Sequence, residues 1–167
     1  MSTPKWKRIT SPIEYLEQAF NLTRIVRKII IRLPKRGRFL GQTKMADLSH
    51  EIEDHLHMAN TIKIIDEYSF RFRLDELLNA KGKLESLVAK MVGYREDQDE
   101  YNQQMENGNK KLLPGDKITV SEYLWEEFGE IANKEINLII GMIKKTIKVG
   151  KEKLGITIQY FDKESEE

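Results

Sequence analysis

Apolar positions recur at helical spacing in four stretches of this 167-residue chain. The first opens at Ser11-Pro12-Ile13-Glu14, a capping box with proline at the first helical position. The serine oxygen accepts from the third helical amide, and Glu14 reaches back to the serine amide. The helix then runs to Leu33, because Pro34 disfavours the helical conformation of the residue before it. Leu22, Ile25, Val26, Ile29, Ile30 and Leu33 share one side, which reads as a core face. Arg24, Arg27, Lys28, Arg32 and Lys35 share an opposing arc of roughly 140°. Ile31 lies inside that arc, as do the projections of Ile13 and Phe20.

A turn over 34–42, eased by Gly37, leads to a second helix from Arg38 or Thr43 to Ile62. Its core set is Leu48, Ile52, His55, Ala59 and Ile62, flanked by Met45 and Leu56. A third helix is expected from Asp66 to Tyr94, built on Leu74, Leu77, Leu78, Leu84, Val88, Met91 and Val92. Residues 95–118 are polar with almost no apolar anchor and read as a long loop or partly disordered insertion. Thr119-Val120-Ser121-Glu122 reads as a second capping box opening a fourth helix that ends at Gly150. This helix carries two apolar stripes, one through Leu124, Phe128, Ile131, Leu138 and Met142, the other through Ile136, Ile139, Ile140, Ile143 and Ile147. Two stripes on one helix argue for burial beyond the core of a single bundle. Residues 154–161 alternate weakly, as a short strand would, before an acidic tail.

Four such helices make an all-α, antiparallel up-down four-helix bundle the expected fold. The division is an N-terminal arm over 1–10, the bundle over 11–150 and a tail over 151–167.

Charge changes this picture more than composition does. The formal net charge is only +1, yet residues 1–44 carry a net +9, residues 45–110 a net −6 and residues 111–167 a net −2. Such asymmetry points to a polyanion-facing surface at one end, or to self-association between unlike faces. The absence of cysteine excludes disulfides, thiolate zinc sites and a cysteine nucleophile. The N-terminus has no apolar core of a secretory signal, and no apolar run reaches membrane-spanning length, so a cytoplasmic protein with no membrane partner is expected.

Candidate chemistry is sparse. His50, His55 and His57 pair at four-residue spacing with Asp54, Glu51 and Glu53, but the pairs point in different directions and no HExxH pattern occurs. Structural or solvated histidines are the favoured reading. Glu51/Asp54 and Glu127/Glu130 have the spacing with which helical nucleotide pyrophosphohydrolases hold magnesium, which keeps that enzyme class as an alternative beside a generic oligomeric interaction bundle. Arg71 and Arg73 stand near the third helix start, where the dipole disfavours cations; they pair with acids on the second helix or face a ligand. The lysines of the fourth helix end (Lys144, Lys145, Lys148, Lys151 and Lys153) suit its dipole.

The run Ile25-Val26-Arg27-Lys28-Ile29-Ile30-Ile31-Arg32-Leu33-Pro34-Lys35, followed by Arg38-Phe39-Leu40-Gly41, resembles a junction shared by two small bundle families. These are the accessory variability determinant (Avd) proteins of diversity-generating retroelements and the proteins encoded in 23S rRNA intervening sequences. Val120-Ser121-Glu122-Tyr123, Glu130-Ile131 and Ile140-Gly141-Met142-Ile143-Lys144 resemble the Avd-type last helix. The resemblance covers roughly residues 12–148; the 95–118 segment and the tail are extra, and Met142-Ile143 stands where tryptophan is frequent in the family. It implies a homo-pentamer of four-helix protomers that binds reverse transcriptase and template RNA through a basic surface and supports mutagenic cDNA synthesis. It also implies no active site of its own; no cofactor and no metal are expected. Candidate contacts are Arg24, Arg27, Lys28, Arg32, Lys35, Arg36 and Arg38, of which Lys35 and Arg38 fall within the matched junction motif.

Overall fold

A computed structural model describes residues 14–33, 41–108 and 120–160. Four helices appear among them: α1 (Glu14–Ile30), α2 (Thr43–Thr61), α3 (Glu67–Glu106) and α4 (Glu122–Leu154). No strand occurs among the described residues, the 155–160 segment included. The Ser11 capping box, the 34–40 turn and the acidic tail lie outside the described residues. Each helix packs on two others, in the cyclic order α1, α2, α3, α4, which leaves one enclosed core.

The apolar face of α1 enters this core as its spacing requires: Leu22, Ile25, Val26 and Ile29 are at most 1 % exposed. Burying each such side chain stabilises the fold by about 1.5–3 kcal/mol. Past Ile30 the chain tightens, with Arg32 and Leu33 amides donating to the carbonyls of Ile29 and Ile30, and Leu33 is buried. In α2, Met45, Leu48, Ile52, Leu56 and Ala59 are buried, while His55, and Ile62 just past the helix end, are half-buried.

The third helix opens on a reciprocal cap. The Asp66 carboxylate accepts from the Ser69 amide at 2.8 Å, and the Ser69 hydroxyl accepts from the Asp66 amide at 3.1 Å. Phe70, Leu74, Leu77, Leu84 and Met91 are buried as the 3.6-residue period demands. Leu78 and Val92, expected in the core, are exposed on the flank.

The expectation of a loop beginning at residue 95 is corrected: α3 runs twelve residues past Tyr94, to Glu106. The segment Arg95–Glu106 lacks an apolar stripe, but half of it is Glu and Gln, which favour the helix, and it has no proline or glycine. Gln98 and Tyr101, three residues apart, are its buried anchors. The Gln98 side chain donates to the Val120 carbonyl at 2.9 Å and accepts from the Val120 amide at 3.3 Å and from Trp125 Nε1 at 3.4 Å. Arg95 also pairs with Glu122 at the start of α4.

Both expected ends of α4 shift. The N-cap is Ser121, without a side-chain cap bond, and Glu122 is the first helical residue, so it does not stand at the third position that a box from Thr119 requires. Thr119 itself lies outside the described residues. At the other end Gly150 does not stop the helix. It is buried inside α4 where Phe70 crosses, and the helix continues to Leu154. The stop is Gly155, at φ +67°, with its amide and that of Ile156 donating to the Lys151 and Gly150 carbonyls. Beyond it Ile156, Ile158 and Tyr160 pack on the core edge as irregular chain.

Candidate polyanion-binding face and a second cationic site

The side of α1 opposite its core face presents Arg24, Arg27, Lys28 and Arg32 to solvent. Lys28 approaches Glu127 of α4 only to 3.9 Å, with its side chain 49 % exposed, an arrangement worth about 0–1 kcal/mol. Arg32, in the turn just past α1, donates to the Lys28 carbonyl. The Arg24 guanidinium lies 5.9 Å from the Phe20 ring centroid. Among the described residues, Arg24, Arg27 and Arg32 face no carboxylate. Phe20 and Ile31, exposed by 55 % and 61 %, sit among these cations. The face therefore combines uncompensated positive charge with an aromatic ring and a branched aliphatic side chain. Lys35, Arg36 and Arg38 lie outside the described residues, and of the junction motif after Ile31 only Arg32, Leu33 and Gly41 lie within them.

Gly41 has a local reason to be glycine. A Cβ there would stand 2.9 Å from the Tyr94 Cζ atom, with the phenol oxygen closer still. The junction thus meets α3 at the point where α3 runs past the start of α2.

The histidines have different surroundings. His50 and His57 are exposed, whereas His55 Nδ1 lies 2.5 Å from Glu76 Oε2, joining α2 to α3 beside a carboxylate that is itself buried. Among the described residues no group of three or more His, Asp or Glu is arranged to hold a metal ion. Glu51 is engaged by Lys83, whose hydrogen bond holds the carboxyl below its usual range. Arg71 pairs with Glu67 on its own helix at 2.8 Å rather than with α2. Arg73 does turn toward α2, but to its carbonyl end: Nη1 donates to the Ile62 carbonyl at 3.0 Å.

Two polar features lie outside the candidates drawn from the sequence. Glu135 of α4 is fully buried, neither carboxylate oxygen has a partner, and burial pushes its carboxyl up to about 8, against a smaller opposing effect of Lys134. Nearby Tyr15, whose hydroxyl donates to Asn60 at 3.0 Å, is also raised, chiefly by burial. The second feature is a cavity of about 450 Å³ between the α2–α3 link and the last turns of α4, lined in part by Lys63, Arg73, Lys145 and Lys153. These cations come from three separate stretches of chain, so no local pattern announces them.

Comparison with known proteins finds no matching family model, no similar curated protein and no similar solved structure.

Proposed function

We propose that this chain is an Avd-like accessory protein: an antiparallel up-down four-helix bundle that self-associates and binds template RNA and a reverse transcriptase through the basic face of α1, in the cytoplasm. In this role it supports mutagenic cDNA synthesis and is not itself a catalyst. The observation that carries the reading is the exposed set Arg24, Arg27, Lys28 and Arg32, of which only Lys28 comes near an acid among the described residues. A cationic rod one helix long suits a phosphate backbone, and Phe20 beside Arg24 offers a surface on which an unpaired base stacks.

The antiparallel arrangement is supported by the order of cross-helix pairs. Tyr15 meets Asn60 while Thr23 meets Ser49. His55 meets Glu76 while Glu51 meets Lys83. Trp125 meets Gln98 while Gly150 meets Phe70. Self-association is supported by the apolar groove of about 350 Å³ between α3 and α4, walled by Val88, Val92, Trp125, Phe128 and Ile136, together with exposed Phe20 and Ile31. A homo-pentamer is the assembly proposed, on the family resemblance.

The deciding experiment measures RNA affinity at two salt concentrations for the wild type and for Arg24→Glu/Lys28→Glu/Arg32→Glu. The wild type binds with a steep salt slope, and the variant loses both affinity and slope. Unchanged affinity and slope would remove α1 as the contact. Solution mass tests the assembly separately, and a strict monomer contradicts it.

A further inference from the structure

The cavity at the α4 end carries an inference that does not rest on RNA binding by α1. Its walls hold Lys63 from the α2–α3 link, Arg73 from α3, and Lys145, Thr146 and Lys153 from α4, and no acidic side chain lines it. The three lysines form no ion pair among the described residues. Arg73 is pinned by its bond to the Ile62 carbonyl, and its Nε is buried without a partner. Thr146 is 1 % exposed, and its hydroxyl likewise has no partner.

Attraction of lysines to a helix end does not account for this arrangement. The α4 carbonyls at Gly150 and Lys151 are already taken by the Ile156 and Gly155 amides, and Lys63 and Arg73 belong to other elements. Like charges brought together around a concave wall repel one another unless an anion lies between them. A buried hydroxyl and a buried guanidinium nitrogen without partners each carry a desolvation cost that a ligand acceptor removes. Three donor types around one space call for more acceptor oxygens than a single carboxylate presents, and a phosphate monoester supplies three on a dianion. The volume lies in the range of small-molecule sites, and Ile64, Ile65 and Val149 supply an apolar wall for the body that carries the phosphate.

We propose that this cavity binds a phosphate monoester, with Arg73, Lys145, Lys153, Lys63 and Thr146 holding the phosphate and the aliphatic wall holding its carrier. The carrier is a free nucleotide or the 5′ end of an RNA strand, and the test separates the two.

The full-length protein is titrated calorimetrically at low salt with inorganic phosphate, adenosine 5′-monophosphate, adenosine, and a short RNA with either a 5′-phosphate or a 5′-hydroxyl. The monophosphate binds saturably and raises the unfolding midpoint, whereas adenosine does neither. Lys145→Ala/Lys153→Ala, both exposed positions that leave the core intact, weakens monophosphate binding about tenfold or more. Thr146→Val, which keeps the volume, weakens it less. Arg24→Glu/Lys28→Glu/Arg32→Glu leaves it unchanged, which separates this site from the α1 face. Tighter binding of the 5′-phosphorylated RNA than of its 5′-hydroxyl twin identifies the strand end as the carrier; equal binding of the two identifies a free nucleotide. Binding of inorganic phosphate with exclusion of the monophosphate, equal binding by the double lysine variant, or no saturable binding of either phosphate overturns the proposal.

Discussion

The ring of Phe70 fills the space that a side chain on Gly150 would need: a Cβ there would lie within 2.8 Å of three ring carbons. Phe70 is itself fully buried, so the ring has nowhere to turn. The crossing of α3 and α4 at this end therefore depends on one missing methyl group.

Gly150→Ala tests this directly. Alanine gains helix propensity of about 0.5–1 kcal/mol, while overpacking a tight core contact costs about 1–3 kcal/mol. A net loss is expected in chemical denaturation. Gly82→Ala is the control, because Gly82 is exposed within α3 with nothing within 4 Å of its missing Cβ. That substitution should stabilise by about 0.5–1 kcal/mol.

Glu135 makes stability depend on pH with a definite sign. Its carboxyl titrates at about 8 in the fold against 4.5 as the ordinary value. Between those values the folded chain holds a proton that the unfolded chain has released. The contribution is complete below the lower value and is lost as pH rises to the upper one, at a limiting slope of about 1.4 kcal/mol per pH unit. Urea unfolding followed from pH 5 to 9 should show this decline. Glu135→Gln, which cannot ionise, should flatten it and be the more stable protein at pH 9.

Gln98 holds the far part of α3 to the start of α4. Gln98→Ala leaves the Val120 amide and carbonyl and the Trp125 indole nitrogen without their partner, at a cost of about 1–3 kcal/mol. The effect should be local. Amide exchange is expected to quicken across 95–106 and around 120–125, while amides of α1 and α2 keep their protection.

Asp66 is held below its usual carboxyl range by the bonds from Ser69. A lowered folded value means that its contribution is present at neutral pH and is lost as pH falls through that value. Asp66→Ala should lower the unfolding midpoint at pH 7, and the gap from wild type should close in acid, measured by circular dichroism.

How far the sequence could be read depended on how local each signal was. The core face of α1 was legible because Leu22, Ile25, Val26 and Ile29 repeat a single period with charges opposite them. The Arg95–Glu106 turns were not, because their anchoring is polar: a glutamine bonded to a backbone 22 residues away leaves no apolar trace. Gly150 was misread for a related reason. A glycine near a run of lysines reads as a helix end, and only the position of Phe70 shows that it is a contact. Glu135 did leave a mark, since it lies one turn before Ile139 and one turn after Ala132, on the buried side of α4. The basic face of α1 was legible residue by residue, whereas the cavity holding Lys63, Arg73 and Lys145 exists only once three separate segments meet.

The bond from Gln98 to Val120 also acts as a clasp, joining two points of the chain 22 residues apart. The closure entropy of such a span rises by only about 0.6 kcal/mol for each doubling of its length. The register of α4 against α3 is therefore set at the glutamine itself, by the two backbone groups it holds.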